Sequence, residues 1–204
     1  VNNTRTIVLA SSNQGKLAEI KTILAPYSYQ LRTQSEFSVS DADETGLTFI
    51  ENALIKARHA CEHTGHMALA DDSGLEVDVL QGAPGIYSAR YAGAHGDSAA
   101  NNAKLLEALQ SVPEGQRQAR FHCVIVLLRH SDDPTPIICQ GTWHGTIATS
   151  PSGSEGFGYD PLFYLSQYNC TVAELSNETK NQISHRALAL RQLTAQLQHL
   201  TPNN

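Results

Sequence analysis

An apolar run of strand type that ends in two consecutive carboxylates, Met67-Ala-Leu-Ala-Asp-Asp-Ser-Gly74, limits what this chain can become more than any other stretch. A strand that delivers acids to its C-terminal tip is the layout of α/β proteins, whose loops at that edge carry the ligand. Neighbouring residues on a strand point to opposite faces. Asp71 and Asp72 are therefore predicted to do different work, one toward a ligand and the other paired with structure. Asp-Ser-Gly is also good turn chemistry, so a plain Asx turn is the competing reading of these residues.

The N-terminal part repeats the strand-then-polar-loop pattern. Thr6-Ile-Val-Leu-Ala10 reads as a buried strand. Ser11-Ser-Asn-Gln-Gly-Lys16 follows, then a helical pattern through Leu17, Ile20, Ile23 and Leu24 that Pro26 stops. A polar loop entering a helix is a ready anion site, because free backbone N–H groups and the helix dipole both favour negative charge. Lys16 adds a full charge, although a solvated lysine on a polar connection is the plainer alternative. The Walker A spacing is absent. Tyr29 to Arg32 is expected as a short strand. The acidic loop Asp41-Ala-Asp-Glu-Thr-Gly46 leads into a helix from about Leu47 to Glu62, with Leu47, Ile50, Leu54, Ala57 and Cys61 as its apolar face. Asp43 and Glu44 precede that helix, where carboxylates are comfortable in any case. Lys56 lies off the stripe.

Beyond Gly74, Leu75–Leu80 alternates like a half-buried strand, and Gly82–Arg90 is a compact loop. A helix over 98–109 has Asp97 as its cap. Long strands are predicted over 121–128 and 137–148, pairing as an antiparallel hairpin that builds a second lobe. Gly153-Ser-Glu-Gly-Phe-Gly-Tyr-Asp-Pro161 is a glycine-rich loop with two aromatics and an acid. A last helix runs over 184–200, and the tail Thr201–Asn204 is expected to fray.

Bulk properties remove several function classes. A length of 204 residues suits a single domain over 1–204, or two tightly joined lobes. Hydrophobic content of 41% against 17% charged marks a globular chain, not a disordered one. No apolar run reaches a membrane span, and Val1-Asn-Asn-Thr-Arg-Thr6 has no signal-peptide core, so no membrane partner is expected. Cys61, Cys123, Cys139 and Cys170 are scattered without a Cys-x-x-Cys pair, which fits reduced thiols in the cytoplasm and disfavours zinc. The formal net charge of −6 argues against nucleic acid as a partner. A polyanionic ligand must then be met by a local cluster of cations.

Loops and helix starts offer Asp43, Glu44, Asp71, Asp72 and Asp160 as acids. They offer Lys16, Lys56, Lys180, Arg186 and His185 as cations or donors, with Phe157 and Tyr159 as aromatic faces. Acids suggest a hard divalent ion, which magnesium commonly satisfies with one or two carboxylates plus substrate phosphates. Cations beside it suggest a polyphosphate, and a ring on a glycine loop suggests a stacked base, although such a ring also serves as a packing anchor. Together these describe a magnesium–nucleoside triphosphate site. No serine–histidine triad, dinucleotide fingerprint or zinc spacing is present.

Six stretches in this order resemble the Ham1/inosine triphosphate pyrophosphatase family. They are Ser11–Lys16, Glu44-Thr-Gly-Leu-Thr-Phe-Ile-Glu-Asn-Ala53, Ala70–Gly74, Gly82–Tyr91, Gly156-Phe-Gly-Tyr-Asp-Pro161 and Ser184-His-Arg186. The resemblance covers nearly the whole chain and is strongest to the bacterial enzymes that clear deaminated purine nucleotides. It implies a two-lobed α/β fold around a long mixed sheet, with the nucleotide in a cleft between the lobes, and a homodimer. It implies hydrolysis of ITP, dITP and XTP at the α–β phosphoanhydride to monophosphate and pyrophosphate, with Mg2+ as cofactor. Asp72 matches the catalytic acid that activates water and contacts the metal. Asp43 matches the second metal carboxylate, where relatives often carry glutamate, and Glu44 remains a possible substitute. Ser11, Ser12, Asn13, Gln14, Gly15, Lys16, Lys56, Ser73 and Lys180 match phosphate-holding positions. Phe157, Gly158, Tyr159, Asp160, His185 and Arg186 match the base site. Ser11-Ser12 departs from the Thr-Gly or Thr-Asn of many relatives. The donors of His185 and Arg186 suit a 6-oxo purine and would reject adenine.

Three rival readings differ in mechanism or substrate. A non-catalytic nucleotide-binding regulator has little need of the acid set. An aspartyl phosphotransferase usually places its two acids one residue apart, which Asp71-Asp72 does not provide. A pyrophosphatase for pyrimidine or other modified nucleotides shares the mechanism and differs in base choice.

Overall fold

The structure, a computed structural model, describes residues 5–200, with side chains through 197. The start of the segment read as lacking a signal-peptide core and the tail Thr201–Asn204 lie outside the described residues. In chain order the elements are β1 (Arg5–Leu9), α1 (Gln14–Leu24), β2 (Tyr29–Thr33), α2 (Phe49–Thr64), β3 (Met67–Val77), α3 (Ser98–Ala108), β4 (Gln118–Leu128), β5 (Ile137–Ile147), β6 (Phe163–Leu165), β7 (Cys170–Thr171), α4 (Asn177–Ile183) and α5 (His185–Leu200), with short 3-10 turns among them. Hydrogen-bonded neighbours run in the order β2-β1-β3-β4-β5-β6-β7. β1 lies parallel to both β2 and β3, whereas β6 is antiparallel to β5 and β7. The chain is thus α/β with a mixed sheet.

Local chemistry sets the element boundaries. The Asn13 side chain accepts from Lys16 N and starts α1, and Asp97 accepts from Ala100 N and starts α3. Thr48 caps α2, and Gly65, at φ 66°, ends it in the left-handed conformation that glycine tolerates. The α2 stripe differs from expectation. Leu47 is 81% exposed and precedes the helix, while Asn52, Ala53, Ala57, Ala60 and Cys61 are the buried residues. Small side chains allow that face to seat closely, so the 3.6-residue pattern of large apolar residues was a poor guide.

β3 also departs from the sequence reading. It does not end at Ala70 but continues through Asp71, Asp72, Ser73 and Gly74 to Val77, so the acids are mid-strand and no Asx turn forms. Its parallel partner is what stops: the register ends at Leu9↔Leu69, with Ala10 N still donating to Leu69 O. The acids therefore lie just past the carboxyl end of β1, where a parallel sheet opens to ligands.

The described chain divides into two compact units. The first holds the described parts of Val1–Asp72, Cys123–Gly141 and Arg186–Asn204. Its strands send alternate side chains into two clusters. Leu69, Cys123, Ile125 and Leu127 pack with residues of α1 and α5, while Ala68, Ala70, Val124 and Val126 pack with α2. The second unit, Ser73–His122 and Thr142–His185, has its own core of Leu75, Leu105, Phe121, Trp143, Phe163 and their neighbours. The long strands β4 and β5 do not make the second lobe by themselves, as the sequence reading expected. Residues 123–141 belong to the first unit, and the remainder of each strand, about half of it, to the second. The reason is composition: Cys123 to Leu128 are apolar on both faces and fill the first unit's two clusters.

Candidate active site

Alternation along β3 separates the two acids as predicted. Asp71 follows Leu69 onto the α1/α5 face, and Asp72 follows Ala70 onto the α2 face. Asp71 is a buried hub. Its Oδ1 lies 2.5 Å from Lys16 Nζ, and its Oδ2 accepts from Arg186 Nε at 3.0 Å and from the Cys123 thiol at 2.9 Å. The other side of the Arg186 guanidinium pairs with Glu19. Burial would push the Asp71 carboxyl up, but Arg186 and Lys16 overcome it and hold it well below its ordinary value. The same surroundings raise the Cys123 thiol, through burial first and the Asp71 charge second. Asp71 is a fixed negative charge and Cys123 an inert donor.

Asp72 has the opposite electrostatics. Lys56 Nζ donates to Asp72 Oδ1 at 2.8 Å and to Glu44 Oε1 at 2.9 Å, so one ammonium joins two carboxylates. Burial raises Asp72 above its ordinary value against the pull of Lys56 and Lys16, and the like charge of Glu44 adds to the rise. Lys56 loses to burial but gains more from Asp72 and Glu44, and is raised. The two shifts agree: a shared ammonium is attracted twice, while each carboxylate receives only part of it. A carboxylate raised toward neutrality in a charged site is poised as a base.

Around this centre lie the predicted loops. Ser12 donates to Asp41 at 2.7 Å, tying the Ser11–Lys16 loop to the acidic loop. Asn13 is the cap of α1, Gln14 donates to Ser12 O, and Gly15 lies within the helix. Ser73 is half-buried beside Asp72. Asp43, the sequence choice for the second metal carboxylate, stands exposed, and it is Glu44 that Lys56 links to Asp72. Among the described residues no group of three or more His, Cys, Asp and Glu converges to hold a metal. Two carboxylates on one face fit magnesium, which keeps waters and takes substrate phosphates instead of a closed protein cage.

The glycine loop belongs to the second unit. Asp160 is buried and accepts from Phe157 N at 2.9 Å and from Lys180 Nζ at 2.7 Å. Lys180 Nζ also stands 4.5 Å from the Phe157 ring centroid. A Cβ on Gly156, whose φ is +77°, would come within 2.1 Å of Asp160 Oδ2, so the turn requires glycine. Asn102 donates to Gly158 O at 3.0 Å. His185 is buried and stacks on Phe121 with 4.8 Å between centroids.

Three residues expected at the base or phosphates already have protein partners. Tyr159 is buried, and its hydroxyl donates to Ser88 O at 2.9 Å. Lys180 supports the loop through Asp160. Arg186 is 1% exposed with its guanidinium on Asp71 and Glu19, because a buried carboxylate requires a buried cation. Sequence reasoning missed Glu19, Cys123 as a donor, and the helix α4 that carries Lys180. Ser176, whose side chain accepts from Thr179 N, was the available signal for α4.

With the geometry in hand, comparison with known proteins is decisive. A chain from Vibrio cholerae called dITP/XTP pyrophosphatase is 59% identical over 187 residues, covering 92% of this chain and 94% of its own. One of the same name from Xylella fastidiosa is 63% identical over 187 residues, with the same two coverages of 92% and 94%. The solved Ham1 protein of Coxiella burnetii superposes with a TM-score of 0.90 at 50% identity, covering 96% of this chain and all 100% of that one. The Staphylococcus aureus Ham1 protein gives 0.85 at 43% identity, with coverages of 97% and 100%. The model of the Ham1 family matches residues 7–196, and the chain belongs to that family.

Proposed function

We propose that this chain is a magnesium-dependent nucleoside triphosphate pyrophosphohydrolase that removes deaminated purine nucleotides (ITP, dITP and XTP) before they enter DNA or RNA. The observation that carries the reading is Lys56 bridging Glu44 and Asp72, beside a helix-start loop that bears Lys16. The names of the relatives support the substrate class. The continuous family match supports treating both units as one domain.

Asp72 accepts the proton of a water whose oxygen attacks the α-phosphorus. The α–β bridging oxygen leaves with pyrophosphate, so one P–O bond forms and one breaks. Lys16, Lys56, Ser73 and the backbone N–H groups of the Ser11–Gly15 loop neutralise and orient the phosphates, which is the protein's main task in phosphoryl chemistry. Magnesium would be held by Asp72 and an acidic-loop carboxylate, and would supply charge neutralisation at phosphate oxygens. We assign that second carboxylate to Glu44 in preference to Asp43, because Glu44 shares Lys56 with Asp72. Base recognition falls to Phe157, Gly158, Asp160 and His185 of the second unit. Arg186, Lys180 and Tyr159 hold these groups and Asp71 in place. A homodimer and a cytoplasmic location complete the reading. Four free cysteines and, among the described residues, no helix long and apolar enough to cross a membrane are compatible with it.

The test is pyrophosphate and monophosphate release from ITP, XTP, GTP and ATP with magnesium, for the wild type and Asp72→Asn. Release from ITP and XTP, lost in the variant, is expected. Equal turnover of ATP overturns the base assignment, and undiminished turnover in Asp72→Asn overturns its role. Tight ITP binding without turnover of any triphosphate overturns the enzymatic reading.

A further inference from the structure

We infer that Asn52 is a positioning residue: its side-chain oxygen latches the end of the acidic loop to α2 and so sets Glu44 on Lys56. The inference rests on the proposed roles of Glu44, Lys56 and Asp72. Asn52 is fully buried, and Gly46 N donates to its Oδ1 at 2.8 Å. The approach is tight. A Cβ on Gly46 would lie 2.5 Å from Glu51 Cβ and 2.7 Å from Asn52 Oδ1, so no larger residue fits without moving the loop. Glu44 precedes Gly46 by two positions. Lys56 follows Asn52 by four, one turn along the same helix face. The loop thus meets the helix through two rungs, Gly46 on Asn52 and Glu44 on Lys56 at 2.9 Å. The first rung contains no charge and its acceptor is fully buried, so it does not depend on the charge state of the second.

The other arm of the amide sharpens the point. Asn52 Nδ2 is buried and has no hydrogen-bond partner among the described residues. An unmet buried donor is a cost that leucine, with the same number of side-chain heavy atoms, would not carry. Packing therefore does not account for asparagine at this position, and the oxygen does. Glu51 pins the following residues, accepting from Leu47 N and the Thr48 hydroxyl at 2.9 Å each, but it does so at the exposed surface.

The experiment uses the full chain with Asn52→Leu, Gly46→Ala and the double variant. Three readouts are taken: exchange of the backbone amide at position 46 by NMR, Mn2+ binding by electron paramagnetic resonance without nucleotide turnover, and kcat and KM for ITP. Circular dichroism establishes that each variant is folded, and Gly46→Ala, which presses on the latch from the loop side and leaves Asn52 in place, serves if Asn52→Leu does not fold. The latch predicts loss of amide protection, Mn2+ affinity weaker by about tenfold or more, and a fall in kcat with KM changed less than about twofold. It also predicts a double variant no worse than the poorer single one. Folded variants with unchanged Mn2+ affinity and kcat overturn the inference. So does a lower melting temperature with Mn2+ affinity intact, which would make Asn52 merely structural. A wild type that releases no pyrophosphate from any triphosphate defeats the proposed function instead, and amide exchange still decides whether the latch exists.

Discussion

Asparagine in place of Asp71 removes one charge from a group whose side chain is 0% exposed and leaves Arg186, 2% exposed at its side chain, facing an amide. Breaking a buried ion pair from one side costs about 3–5 kcal/mol, because the remaining charge is uncompensated. Here Glu19 still engages Arg186, so the lower end applies, about 3 kcal/mol. For a chain of 204 residues each kcal/mol moves the melting temperature by about 2–4 °C, giving an expected fall of roughly 6–12 °C. Far-UV circular dichroism on heating measures it. Fluorescence of Trp143, the single tryptophan, gives a second probe whose coincidence tests two-state behaviour. The pH dependence fixes the sign. The folded Asp71 is held below its ordinary value, so its contribution is complete above that value, about 3.9. It is lost only as pH falls through the lower folded one. The gap between wild type and variant is therefore constant from neutral pH to about 5 and narrows on the acid side. A fall of less than about 2 °C at neutral pH, or a gap that widens on acidification, would refute the description of Asp71 as a buried anchor.

Other expectations concern catalysis and the loop. Asp72→Asn lowers kcat for ITP by about 10²–10⁴-fold while the dichroism spectrum is unchanged, and a smaller loss argues against a general base. Because burial raises Asp72, its carboxyl in the metal-free protein, followed by NMR, titrates above its ordinary value. Lys56→Met, which removes the attraction opposing that rise, moves this titration to still higher pH, and a midpoint that stays or moves down refutes the pairing. Gly156→Ala forces Asp160 aside and strains a positive φ, costing about 1–3 kcal/mol by urea unfolding and weakening ITP binding by calorimetry. Cys123→Ser keeps a donor on Asp71 and is expected to retain activity that Cys123→Val loses in part.

The local signals in the sequence were sound where one residue's neighbours decide its geometry. Alternation alone separated Asp71 from Asp72, and Asp97 caps the helix it was expected to start. Failures came where a distant partner decides. The pairing of Arg186 was not legible because its partners Asp71 and Glu19 are 115 and 167 positions away. β3 was ended at its first acid because carboxylates in a strand interior are costly, and the cations that offset this come from α1, α2 and α5. Leu47 was placed on a core face because hydropathy, without the loop's path, says nothing of which way it turns.

The face of α2 that meets the sheet is built from Ala53, Ala57 and Ala60, which share a cluster with Ala10, Ala68 and Ala70. Alanine has no side-chain torsion to populate. At these alanine contacts the spacing between the helix that carries Lys56 and the strand that carries Asp72 is therefore set close to backbone against backbone, with the larger Val8, Val124, Val126 and Leu128 filling the rest of the cluster. Warming redistributes rotamers in an ordinary core, but the alanine contacts have none to redistribute. The lysine–carboxylate distance at the reaction centre should have a small thermal coefficient, and catalysis should stay in register until the fold itself gives way.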